Sequence, residues 1–215
     1  MSEPSVKGAT DRPARKRRSD GERRRSAILQ EAARLATLEG IGGLSISRLA
    51  DAVGMSKSGL FAHFGSKQEL QLATMEAASA IFTEQVLEPA LRAPTAIKRL
   101  RQLAENYLRY VAGEAFPGGC FFASVAAEVD THPGPVRDVA MKVMHDWLAL
   151  LEKTIREAQA EGAVDSEVDP AQLAFEIEAS LYFANTLFVI TGGPAPIERA
   201  RRSLERRFGE VAVAG

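Results

Sequence analysis

The chain has 215 residues, 46% of them apolar and 26% charged, ordinary values for a globular protein with room for a real core. Its single cysteine excludes an intramolecular disulfide framework and fits a reducing cytoplasm. The net charge of -1 hides a division: residues 1–67 hold 13 Lys and Arg against 7 Asp and Glu, a balance of +6, and residues 68–215 carry -7. A basic head on an acidic body leaves only the head to meet a polyanion.

Residues 1–21 are rich in Ser, Pro, Gly and charge and nearly free of large apolar side chains, which predicts a disordered basic arm. Arg12, Arg15, Lys16, Arg17, Arg18, Arg23, Arg24 and Arg25 stand just ahead of the first helix. Two readings stand for them: a solubilising tail, or an arm that contacts phosphate. Glu22 to Glu39 predicts an amphipathic helix with Ile28, Ala32, Leu35 and Ala36 on one face and Gly40 as its stop.

Two short helices follow. Ile46, Leu49, Ala50 and Val53 repeat at helical spacing behind Ser45 as N-cap, and Gly54 closes the helix. Ser56 caps the next, in which Leu60, Phe61 and Phe64 are expected to face inward, while Lys57, Ser58, Gly59, Ala62 and His63 face outward. Two short helices about a tight turn, the second with a small polar outer face, are the helix-turn-helix layout for the DNA major groove. The first helix is needed to bury them, so residues 22–68 are expected to form a three-helix DNA-binding domain. Ser66 caps a connecting helix striped by Leu70, Ala73, Ala77, Ile81 and Leu87, expected to end at Pro89 and Pro94, near residue 88.

Residues 89–215 read as a helical body. Thr95 is expected to cap a helix carrying Ile97, Leu100, Leu103, Ala104, Tyr107 and Val111. A turn at Phe116 to Cys120 precedes a helix from Phe121 to Val129, and His132 to Pro135 breaks the chain again. A long helix through Val136, Val139, Val143, Trp147, Leu150, Leu151 and Ala158 comes next, then one opened by Pro170 and running to about Ile190. The last carries Ile197, Ala200, Leu204 and Phe208 inward. No strand and no internal repeat is evident, so the fold class is all-α.

Leu173 to Ile190 is the densest apolar stretch, interrupted by Glu176, Glu178, Ser180 and Asn185. It reads as a buried helix, and no run is expected to cross a membrane, which with the absence of a signal core places the protein in the cytoplasm. A helix apolar around most of its circumference needs cover on more than one side. That predicts a homodimer through the last two helices; the competing reading is a central helix of a monomeric bundle.

An enzyme is the rival class. Cys120 with His132 or His145 would be its thiol and base, against the plainer reading of Cys120 as a buried small hydrophobe. A redox-sensing thiol is a further reading. No histidine or cysteine spacing suggests a metal site, and Gly118-Gly119 and Gly192-Gly193 are isolated breakers, so no nucleotide cofactor is expected. Tyr107, Tyr110, Cys120, Phe121, Phe122, Trp147, Tyr182 and Asn185, with His145 nearby in sequence, offer aromatic surface and a few polar handles for a small molecule. The competing reading for each aromatic is core.

From about Glu22 to Met75 the chain resembles the TetR (tetracycline-repressor-like) family of transcriptional regulators. The resemblance rests on Glu39-Gly40, Leu49-Ala50, Val53-Gly54-Met55-Ser56, Leu60-Phe61, His63-Phe64 and Ser66-Lys67-Gln68-Glu69-Leu70. The Gly118-Gly119-Cys120 segment and the helix layout are similar to regulatory domains of that family. The resemblance implies a homodimeric, non-enzymatic repressor on double-stranded operator DNA, released by a small-molecule effector in the body. It puts Lys57, Ser58, Gly59 and Ala62 at base-contacting positions. Phe61, His63 and Lys67 fall at backbone-contacting ones, with Ser45 and Ser47, and Ser56 on the same edge. Arg48 is open to either phosphate or base. Phe61 stands where tyrosine is common, Ser47 where a longer side chain is common, and Arg48 where an acid is frequent.

Overall fold

The computed structural model describes residues 12–113 and 115–213, with side chains from residue 21 onward. Among these residues there are helices and no strand; one isolated bridge joins Val164 to Ala212. The helices are α1 (Arg12–Glu39), α2 (Ile46–Val53), α3 (Lys57–Phe64), α4 (Lys67–Phe82, continued by a π-helical turn Thr83–Leu87 and Glu88–Leu91), α5 (Ala96–Ala112), α6 (Phe121–Val129), α7 (Pro135–Ala160), α8 (Pro170–Thr191) and α9 (Ala195–Glu210).

Residues 1–11 of the expected disordered arm lie outside the described residues. The rest of the arm corrects that expectation: α1 starts at Arg12 rather than Glu22. Arg, Lys and Ala are good helix formers, and Pro13 falls in the first turn, where a missing N–H is harmless.

Two apolar cores share α1 and α4. In the head, Ile28, Leu29, Ala32 and Leu35 of α1 pack with Leu44, Leu49, Ala50, Leu60, Phe64 and Leu70. On the neighbouring face of α1, Ala33 and Ala36 join Met75, Ala78 and the body core. One helix thus carries both cores, which fixes the head against the body.

Pro89 does not end α4. The helix widens into the π turn at Thr83–Leu87, where Glu88 N–H donates to Thr83 C=O, and passes through Pro89 to Leu91. The wider turn relieves the clash of a proline ring with the preceding turn, and Asn106 Nδ2 of α5 donates to the Val86 carbonyl at 3.0 Å. Thr95 stands at the N-cap of α5, but its side chain makes no capping bond. The Glu161 carboxylate, just past α7, caps it instead, accepting from Ala96 N–H at 2.8 Å.

Helix α8 buries Leu173, Ala174, Ile177, Leu181, Ala184 and Asn185 against α5, α7 and α9. Its opposite face is uncovered: Phe175, Phe183 and Ile190 are 64%, 62% and 73% exposed. By length and apolarity alone Pro170–Thr191 would suffice to cross a membrane, a longer run than the sequence reading allowed. Its inner face is nonetheless packed as part of a bundle. The α9 residues Ile197, Ala200, Leu204 and Phe208 are buried as expected.

Candidate nucleic-acid interface and effector cavity

Local capping sets the pose of α3. Ser45 Oγ accepts from Arg48 N–H at 3.2 Å and opens α2. Gly54 closes it at φ 65, a left-handed conformation that glycine adopts without steric cost. Ser56 Oγ then accepts from Gly59 N–H at 3.1 Å and starts α3. Leu60 and Phe64 are buried, one turn apart on the inner face.

The outer face presents Lys57, Ser58, Ala62 and His63, all exposed, with Gly59 half-buried between them. Phe61 is 56% exposed, which corrects its expected inward orientation. In a two-turn helix the inner face takes only Leu60 and Phe64, and Phe61 is rotated away beside Lys57. A shallow open concavity gathers Ser45, Ile46, Ser47, Lys57, Ser58, Phe61 and Lys67. Residues separate in sequence therefore share one surface.

Three cations of the head are already engaged in the contacts that follow. The Arg48 guanidinium holds the Glu39 carboxylate of α1, with Nε 2.9 and 3.0 Å from its two oxygens. Both side chains are well exposed, so the pair contributes little stability and can be exchanged for another anion. Lys67 Nζ donates to the Gly42 carbonyl. Arg25 of α1 lies over the Phe64 ring, 5.1 Å from its centroid.

A seam joins head to body at the α1–α2 loop. Glu128 of α6 accepts from Ile41 N–H and Gly42 N–H, and Gln71 Nε2 of α4 donates to Ile41 C=O at 2.7 Å. Gly118 N–H donates to Thr37 Oγ1 of α1. A side chain at Gly118 would place its Cβ 2.0 Å from the Thr37 carbonyl oxygen, so only glycine permits this approach.

The body forms a partly open cavity of about 240 Å³ between α4, α5, α6, α7 and α8. Tyr107, Cys120, Phe122, Trp147 and Tyr182 line it. Tyr110, Phe121 and Asn185 are not among its lining residues. Tyr110 Oη accepts from Phe121 N–H at 3.4 Å, Phe121 is packed in the aromatic core, and Asn185 Oδ1 accepts from Cys120 N–H at 2.7 Å. These three build the turn into α6. His145 is exposed and also outside the cavity.

Among the wall residues that the sequence reading did not single out, two contact Trp147 directly. Phe82 of α4 packs edge-on against both Tyr107 and Trp147. Glu178 of α8 accepts from Trp147 Nε1 at 2.7 Å. Burial pushes the Glu178 carboxyl up to about 7, partly offset by that indole bond. Its signal in the sequence was its spacing with Ala174, Leu181 and Asn185, which puts an ionisable group on the inward stripe. Cys120 is buried and burial raises its thiol pKa. A thiol so placed is a poor nucleophile or redox sensor.

Residues 28–74 match the family described as bacterial regulatory proteins, tetR family, and residues 96–204 match the tetracyclin repressor-like C-terminal domain. The transcriptional regulator AcuR of Cereibacter sphaeroides is 25% identical over 139 residues, 64% of this chain and 64% of AcuR. The chain thus spans just under two thirds of that relative. A TetR transcriptional regulator from Chloroflexus aurantiacus superposes with a TM-score of 0.84 at 25% identity, over 91% of this chain and 100% of that one. AibR, crystallised in complex with isovaleryl coenzyme A and operator DNA, shares the fold at a TM-score of 0.67 and 24% identity, over 87% of this chain and 97% of that one.

Proposed function

The chain belongs to the TetR family of transcriptional regulators, and from that premise we propose a ligand-released repressor that reads its operator as a homodimer. The observation that carries the reading is the outer face of α3, where Lys57, Ser58, Phe61, Ala62 and His63 stand exposed on a helix held by caps at both ends. Lys57 donates to guanine O6 and N7, and the Ala62 methyl meets a thymine methyl. Ser58 and Gly59 lie beside them at base-edge positions, while Ser45, Ser47, Ser56, Phe61, His63 and Lys67 follow the phosphate backbone, and Arg48 exchanges Glu39 for phosphate.

The dimer rests on the uncovered stripe of Phe175, Phe183 and Ile190 on α8, with α9 beside it. Such a stripe suits a two-fold helix pairing, and two heads then meet two half-sites. The effector site is the body cavity, whose walls connect to the head through α6 and Glu128. The isovaleryl coenzyme A of AibR does not transfer to this cavity, because no Lys, Arg or His lines it to hold phosphates. A lone buried thiol with a raised pKa favours a regulator over an enzyme, and a repressor of this kind acts in the cytoplasm.

Mobility-shift titration of the purified chain on the DNA upstream of its own gene tests the reading. Retardation that weakens steeply with salt is expected. Failure to bind any genomic fragment in a sequence-dependent way would refute it.

A further inference from the structure

The reading of the body as an effector domain leaves the effector's chemistry open, and the cavity walls narrow it. Glu178 Oε2 accepts from Trp147 Nε1, and the carboxylate has no ion pair among the described residues. The other charged side chain on the wall, Asp146, is already paired with Lys142. No Lys, Arg or His lines the cavity.

The rest of the wall is dominated by aromatic rings. Tyr107 and Trp147 stack with centroids 6.1 Å apart, and Phe82 stands edge-on to both. Phe122 and Tyr182 extend the wall. A carboxylate withdrawn from water without a partner is costly, and a cation beside it removes most of that cost. Aromatic faces attract cations and apolar groups alike. A polyanion would meet only repulsion here. One unpaired carboxylate matches one positive charge, which sets a monoamine apart from a polyamine.

Resting on that reading of the body, we propose that the cavity between α4 and α8 binds a lipophilic organic monocation, an amine or quaternary ammonium on an aromatic or apolar body, with its charge against Glu178.

The chain has one tryptophan, Trp147, in the cavity wall, so its fluorescence reports occupancy. The full chain is titrated at about pH 8, where an alkylamine remains charged, with phenylbutylamine, phenylbutanol and phenylbutanoate. The amine is expected to bind about tenfold tighter than the alcohol, and the carboxylate weakest of the three. In Glu178→Gln the amide oxygen still accepts from Trp147, and the preference for amine over alcohol is expected to vanish while the alcohol binds as before. Equal or tighter binding of the alcohol or the carboxylate by the native chain overturns the proposal and needs no variant. So does an amine preference that survives in Glu178→Gln, or no response to the amine.

Operator release is read separately by mobility shift. Amine binding through Glu178 without release supports the cation site and removes the effector reading. Release by a neutral or anionic compound that occupies the cavity, with no amine binding, overturns the cation site and leaves the effector reading standing.

Discussion

The Glu128 carboxylate on α6 grips the backbone of the DNA-binding head, accepting from Ile41 N–H at 2.7 Å and from Gly42 N–H at 2.6 Å. These are charge-assisted bonds to backbone groups that otherwise lack a helical partner, since the loop lies between α1 and α2. Helix α6 also carries Phe122 and Ala123 of the cavity wall. A single short helix therefore touches both the ligand space and the loop that leads into α2.

Glu128→Ala should cost about 1–3 kcal/mol of stability, because it strands two donors rather than removing one weak contact. Urea denaturation measures it. The same variant should also blunt release of DNA by any cavity ligand, since the head is no longer held by α6. Unchanged stability together with unchanged release would show that the seam is incidental.

The α3 surface predicts a split between two lysines. Lys57→Ala should lose about 1–3 kcal/mol at particular base pairs, as expected of a base-edge contact. Lys67→Ala should weaken all sequences alike and lower the salt dependence of binding by about one ion. Quantitative mobility shifts on an operator and its point variants separate the two. Identical losses on every sequence for both would refute the division.

On α8, Phe183→Asp places a charge in the exposed apolar stripe. The native chain is expected to run at dimer mass in light scattering at micromolar concentration, and the variant at monomer mass. Operator affinity should fall on the order of a hundredfold, because two linked heads bind far better than one. A native chain that runs as a monomer would contradict the dimer.

Glu178 gives a pH signature. Its carboxyl is raised by burial from an ordinary value of 4.5 to about 7, so the folded state holds a proton that the unfolded chain has released. The stability this provides is fully present below 4.5 and is lost as pH rises through 7. The amount is on the order of 3 kcal/mol. Tyr107 and Cys120, which border it, have pKa values raised by burial and stay neutral across this window. Thermal melts of the native chain should weaken over this range more than those of Glu178→Gln. Parallel pH profiles for the two would refute the assignment.

Much of this was legible in the sequence because it is local. Ser45, Gly54 and Ser56 announce two capped helices, and Ile197, Ala200, Leu204 and Phe208 mark an inner stripe by spacing alone. What stayed hidden depends on distant partners. Pro89 reads as a stop until Asn106 of α5 meets the widened turn before it. Thr95 reads as a cap until Glu161 takes the Ala96 N–H. Tyr110 and Asn185 look like ligand handles, but they hold backbone N–H groups at the start of α6. Glu178 reads as an interruption in an apolar helix; its spacing places it on the inward stripe, but only the packing of Trp147 shows what it meets there.

The most direct test of the central claim is selection of bound duplexes from a random DNA library by the full native chain and by Lys57→Ala. The native chain is predicted to enrich a two-fold symmetric motif with half-sites about one helical turn apart, and Lys57→Ala to lose preference at specific positions within each half. Failure of the native chain to enrich any motif, with all duplexes retained equally or not at all, would contradict the account.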